Sequence, residues 1–116
     1  MFTFRSWYGR GGMVRDTALE NYARVRAQEL VRNRSHTRPN GESALVGIQR
    51  IKGNVYAAEN IAWGSGSNNQ SCSQVMTSWY NSTGHRNNMV NANLTRVGIA
   101  GYRYNGTMYW VQVFSS

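Results

Sequence analysis

Two histidines and one carboxylate are the residues whose types and surroundings could do chemistry. His85 follows the polar run Asn81-Ser82-Thr83-Gly84, just past a helical pattern ending at Trp79-Tyr80. His36 lies in SHTRPNG, a loop punctuated by the turn signal Pro39-Asn40-Gly41. Glu59 lies in VYAAENIAW, residues 55–63. Read as an extended segment, Val55, Ala57, Glu59, Ile61 and Trp63 share one face, and Glu59 is the one charged member of that row. A carboxylate facing a core must be protonated, paired with a cation or hydrogen-bonded by several donors. Brought together in one cleft, two neutral imidazoles could bind zinc or another divalent cation, with water at the remaining positions. Such an ion could make hydroxide near neutral pH, with Glu59 as base beside His36 and His85. The plainer alternatives are an exposed loop histidine, and a glutamate that pins a loop through backbone N–H groups.

These groups need elements to position them. Thr17-Ala18-Leu19-Glu20 fits a capping box, with the helix running to about Asn33. Leu19, Tyr22, Ala23, Ala27 and Leu30 form its apolar stripe, with Arg24, Gln28 and Arg32 opposite. Arg26 falls inside that stripe. A guanidinium there must snorkel or find an acid or carbonyls. It either tethers a nearby loop, the reading favoured here, or orders a site carboxylate. Glu42 to Arg50 reads as a short helix, and Gly53-Asn54 as a break. Ser71-Cys72-Ser73-Gln74 offers a second capping box. Cys72, Val75, Met76 and Trp79 follow at helical spacing, so Cys72 is expected to pack as a small buried hydrophobe; the alternative is a thiol activated by the helix N-terminus.

Asn105-Gly106 is a type I′ hairpin turn between two alternating runs. It pairs Tyr104 with Thr107 and, further along, Val97 with Phe114. Both faces of the hairpin are largely apolar, so helices must cover both. The expected fold class is α+β: an α–β–α sandwich with a small central antiparallel sheet. Residues 1–15 read as an irregular lead-in, and the chain as a single domain over 1–116.

The bulk numbers narrow the function classes. A 41% hydrophobic share fits a globular chain. No apolar run is long enough for a membrane span, and the N-terminus lacks the apolar region of a signal peptide. One cysteine rules out an internal disulfide and a cysteine-based zinc site. Thirteen basic residues against five acidic ones give a net charge of +8, which attracts nucleic acid, anionic lipid or acidic envelope polymers, or simply keeps the surface solvated. No nucleic-acid motif is present, so nucleic acid is the weaker of these partners. Nor is there an HExxH pair, a GxSxG elbow or a paired Cys–His nucleophile.

In order and spacing, SHTRPNG, AENIAWG, WYNSTGHRNNMVN and VGIAGYRYNGTMYWVQVF closely resemble the bacterial branch of the CAP superfamily, the SCP-like domains related to cysteine-rich secretory proteins, antigen 5 and pathogenesis-related 1 proteins. The resemblance runs from about Asp16 to Phe114. It implies the same sandwich with a central cleft lined by two histidines and two glutamates. His36 and His85 match the histidines, and Glu59 matches one glutamate, with Ala58 where the family has glycine. Ser82 stands where the second glutamate is expected. The family's first helix is missing or short before Asp16. The resemblance implies an extracellular or envelope-associated binding module with an unidentified ligand, lipid or sterol in some members, and a cleft (His36, Glu59, Ser82, His85) able to take a metal through His36 and His85. The alternatives are a metal-dependent, peptidase-like hydrolase using Glu59, His36 and His85, and an anionic-polymer or nucleic-acid binder acting through the arginines.

Overall fold

The computed structural model describes residues 12–116. Along the chain run β1 (Val14–Arg15), α1 (Thr17–Glu29), α2 (Ala44–Lys52), β2 (Ala57–Ser65), a 3-10 turn (Gly66–Asn68), α3 (Cys72–Tyr80), α4 (Thr83–Val90), β3 (Arg96–Tyr104) and β4 (Thr107–Ser115). The lead-in expected over 1–15 falls mostly outside the described residues, as does the question of an earlier helix. Its last two residues are a strand. None of the described helices is long and apolar enough to cross a membrane.

The hairpin has the register that its turn dictates, from Tyr104 opposite Thr107 back to Val97 opposite Phe114. Asn105 (φ 50°) and Gly106 (φ 75°) both take the left-handed conformation that a type I′ turn requires. β2 adds to the far side of β4, also antiparallel, and the strand order is β1-β3-β4-β2. The sheet is mixed and not wholly antiparallel, because β1 runs parallel to β3. A two-residue strand is too short to leave a periodic signal.

Alternation along the strands feeds two cores. On one face, α1 and α2 bury Leu19, Ala23, Leu30 and Ile48 against Tyr109, Val111 and Val113. On the other, α3 and α4 bury Val75, Trp79 and Met89 against Ala58, Val97 and Phe114. Cys72 is exposed, contrary to the expected packing. Partial desolvation pushes its thiol above the ordinary value, the opposite of activation. Helix α3 does carry the expected Ser71–Gln74 capping box.

Helix α1 is capped one residue earlier than its sequence suggests. Asp16 has extended backbone, and its carboxylate accepts the Leu19 N–H at 3.0 Å. Glu20 turns outward to Arg15 and Arg24, so it closes no capping box with Thr17. The helix stops at Glu29, and turns continue to Asn33. Helix α2 likewise starts later than expected, capped by Ser43, because the Glu42 side chain is held by Arg38 and Arg50. Asp16 also meets Lys52 at 2.6 Å and Arg96 at 3.2 Å, which ties α1 to α2 and β3. Burial alone would push its carboxyl up. Lys52, the Leu19 N–H and Arg96 outweigh burial and hold it below its ordinary value.

The close approach of α1 to β3 depends on Gly98. A Cβ there would overlap the backbone of Leu19 and Glu20, and neither can move without shifting the helix. Gly98→Ala is expected to cost about 1–3 kcal/mol in urea unfolding. Gly84→Ala, with open space around it on α4, should be neutral or stabilising by up to about 1 kcal/mol. A carboxyl depressed by folding adds stability that is complete above its unfolded pKa of about 4 and is lost as pH falls through its lower folded value. Asp16→Asn should therefore be less stable at pH 7. It should also lose less of its remaining stability than the parent between about pH 4 and pH 2.

Candidate functional site

Glu59 sits on β2 with its side chain fully buried, facing α1. Arg26 meets it as a fork: Nε donates to Oε2 at 2.7 Å and Nη2 to Oε1 at 3.0 Å. Arg26 is itself 0% exposed, and its remaining N–H groups reach Glu29 Oε1 at 3.1 Å and the Ser35 carbonyl at 2.8 Å. Both sequence readings of Arg26 therefore hold at once. It orders a carboxylate, and it tethers the loop that carries His36.

That loop is well pinned. Arg38 spans Glu29 and Glu42 and lies over the Tyr22 ring. The Asn33 side chain donates to the Thr37 carbonyl, and the Ala44 N–H to the His36 carbonyl, both at 2.8 Å. The loop sets His36 Nδ1 2.8 Å from Glu59 Oε1, while the rest of the ring is open to solvent. Glu59 is thus engaged on both oxygens, by Arg26 and His36. A carboxylate held this way orients its partners and is poorly placed to shuttle a proton.

His85 arrives from the other helical layer. Ser82 is the N-cap of α4, yet its hydroxyl caps no backbone N–H. It is spent 2.8 Å from His85 Nδ1 instead. Burial, followed by the charge of nearby His36, pushes the His85 imidazole below its ordinary value and favours the neutral ring. The structure therefore brings the two histidines near each other, each with Nδ1 held: one by a carboxylate, one by a hydroxyl.

An amide network that sequence reasoning passed over fixes where His85 stands. Asn60, fully buried, donates to the His85 carbonyl at 3.2 Å and to Gln112 Oε1 at 3.1 Å. Asn88 on α4 donates to Asn60 Oδ1 at 2.9 Å and to the Glu59 carbonyl at 3.4 Å. The Trp79 indole donates to the Ile61 carbonyl at 3.2 Å. One signal was available: Gln112 is a polar residue on the hairpin face that also carries Val97, Ile99, Gly101, Trp110 and Phe114.

The donor set can be tested for a metal. Among the described residues, no three His, Cys, Asp or Glu side chains gather into a metal cage. Glu59 is committed to Arg26, and the group against His85 Nδ1 is the Ser82 hydroxyl and not an acid. With both Nδ1 atoms held, Nε2 is the ring nitrogen left outside these contacts on His36 and on His85. Holding the second ring nitrogen is the usual outer-shell support of a metal-binding histidine.

Among the described residues, four helices on both faces of a four-stranded mixed sheet define an α+β sandwich of the CAP type. The chain belongs to the CAP family, described as the cysteine-rich secretory protein family, which matches residues 3–114. It is similar to the YkwD protein of Bacillus subtilis, 41% identical over 58 residues, which cover 50% of this chain and 20% of that protein. Among solved structures, an outer surface protein of Borrelia burgdorferi superposes with a TM-score of 0.83 at 21% identity, over 99% of this chain and 85% of that one. An extracellular protein containing an SCP domain from Bacillus anthracis gives 0.79 at 26% identity, over 98% of this chain and 37% of that one. The structure of NaASP2 with Zn2+ gives 0.61 at 19% identity, over 88% of this chain and 58% of that one.

Removing Arg26 leaves Glu59 buried without its cation. Arg26→Met is expected to lower the unfolding free energy by about 3–5 kcal/mol. Arg26→Met combined with Glu59→Met should recover part of that loss. Denaturant unfolding of both variants checks this, and a double variant no more stable than the single one would contradict the pairing.

Proposed function

We propose that this chain is an extracellular or envelope-associated CAP-domain binding module whose cleft holds a divalent cation, zinc by preference, through His36 and His85. The observation that carries the reading is that each imidazole has its Nδ1 occupied, by Glu59 or by Ser82, at 2.8 Å. This fixes ring orientation and leaves Nε2 as the ligand atom. Neutral imidazole nitrogen suits zinc. A related protein of the same fold was crystallised with Zn2+, which supports the choice of metal. The extracellular placement is supported by the names of the Borrelia and Bacillus anthracis neighbours. When bound, such an ion would supply a Lewis-acidic centre with open positions for a ligand. The protein's own residues orient the two rings and, through Arg26, keep Glu59 from swinging into the cleft.

Zinc calorimetry tests the proposal. The parent should bind with a heat that His36→Ala and His85→Ala each abolish, while circular dichroism shows both variants folded. Ser82→Ala should weaken binding about 10–100-fold, because the outer-shell partner of His85 is gone. Affinity should fall from pH 8 to pH 5, because only a neutral imidazole nitrogen binds metal. No heat in the parent, or affinity unchanged from pH 8 to pH 5, would exclude the two-histidine site.

A further inference from the structure

A cavity lies away from the histidines, between the end of β2, the 3-10 turn and the outer side of α3. It measures about 690 Å³, within the range of small-ligand sites, and its lining includes Trp63, Ser67, Asn68, Gln70, Gln74 and Thr77. Among the described residues no charged side chain lines it, although the chain carries a net +8. We propose that this cavity is a binding site for a neutral saccharide, and that Trp63 and Asn68 are its main contacts.

Three observations favour a sugar over other ligands. The lining is made of amides and hydroxyls, which both donate and accept and so match sugar hydroxyls. Trp63 is 43% exposed and brings the one large aromatic surface to the wall, suited to the C–H face of a pyranose ring. The Arg34 guanidinium lies 5.7 Å from the Trp63 ring centroid and 5.5 Å from that of Tyr109, and donates to the Tyr109 hydroxyl, which steadies the indole. Absence of a cation or carboxylate in the lining disfavours anions and metals. A single aromatic wall offers little to a lipid.

The walls are organised in advance. Gly64 lets the 3-10 turn lie against β2, since a Cβ there would overlap the Asn68 carbonyl. Asn69 is stapled to the hairpin: its side chain accepts from the Met108 N–H at 3.2 Å and donates to the Gly106 carbonyl at 3.3 Å. The Trp110 indole donates to the Gln70 carbonyl at 3.0 Å, and the Gln70 amide to the Ser78 hydroxyl at 2.7 Å. The Asn68 side chain has no hydrogen-bond partner among the described residues, so its amide is available at the cavity wall. Fixed walls lower the ordering cost of binding.

The test is an NMR titration of the whole chain with two neutral probes, cellotriose and triacetylchitotriose, at about 150 mM salt so that charge attraction is screened. At least one probe should give saturable shifts of the Trp63 indole N–H and of residues 67–78, with His36 and His85 unmoved. Trp63→Ala should weaken binding at least ~10-fold, and Trp63→Phe should restore part of it. Asn68→Ala, which breaks no side-chain hydrogen bond among the described residues, should weaken binding severalfold with unfolding unchanged. No shifts with either probe, shifts centred on the histidine cleft, or affinity unchanged in both Trp63→Ala and Asn68→Ala would overturn the proposal. The outcome is independent of zinc binding, since the two sites share no proposed contact residue.

Discussion

The pairing of Arg26 with Glu59 is the constraint on which the rest of the cleft depends. Two opposite charges taken out of water are costly unless the geometry is good and the leftover hydrogen-bonding groups find partners. Here the fork is bidentate, and the guanidinium's other N–H groups go to Glu29 and the Ser35 carbonyl. One side chain therefore joins α1 to β2 and to the loop that presents His36. Glu29 passes the connection on to Arg38, and Arg38 to Glu42. All five acidic residues of the chain are engaged in ion pairs of this kind. None is left as a free carboxylate lining the cleft.

The edge position of β2 explains how one site draws on two helical layers. Successive residues of a strand point to opposite faces. Glu59 points to the α1 layer and holds His36. Asn60 points to the α3–α4 layer and holds the His85 carbonyl. An inner strand would keep these two layers apart. At the sheet margin they can reach round and meet, and Asn88 and Trp79 close the gap by taking the outward carbonyls of Glu59 and Ile61.

Much of this was legible in the residues. The hairpin register followed from Asn105-Gly106, and the apolar stripe of α1 from its spacing, with Arg26 visibly out of place within it. Glu59 was conspicuous because a charge sat in an apolar row. What could not be read were partners distant along the chain. Nothing local says that Arg26 meets a residue thirty-three positions away, or that the Ser82 hydroxyl turns to an imidazole when capping is its usual role. Asn60 and Asn88 were silent because a single amide carries no periodic signal. Helix starts slipped by a residue or two because Asp16 and Ser43 compete with equally plausible neighbours, and tertiary ion pairs decide between them.

Ser82 shows how a small change of residue type resets the chemistry of a site. An acidic side chain against His85 would favour the imidazolium, since a nearby opposite charge stabilises the charged form. A hydroxyl fixes the same nitrogen without adding charge. Burial and the neighbouring His36 then act unopposed and push His85 towards its neutral form. The two rings are thus held by unlike partners, one by a carboxylate already bound to a guanidinium, the other by an uncharged group on its own helix. With no acid against it, the His85 ring is held in place without being drawn towards its charged form.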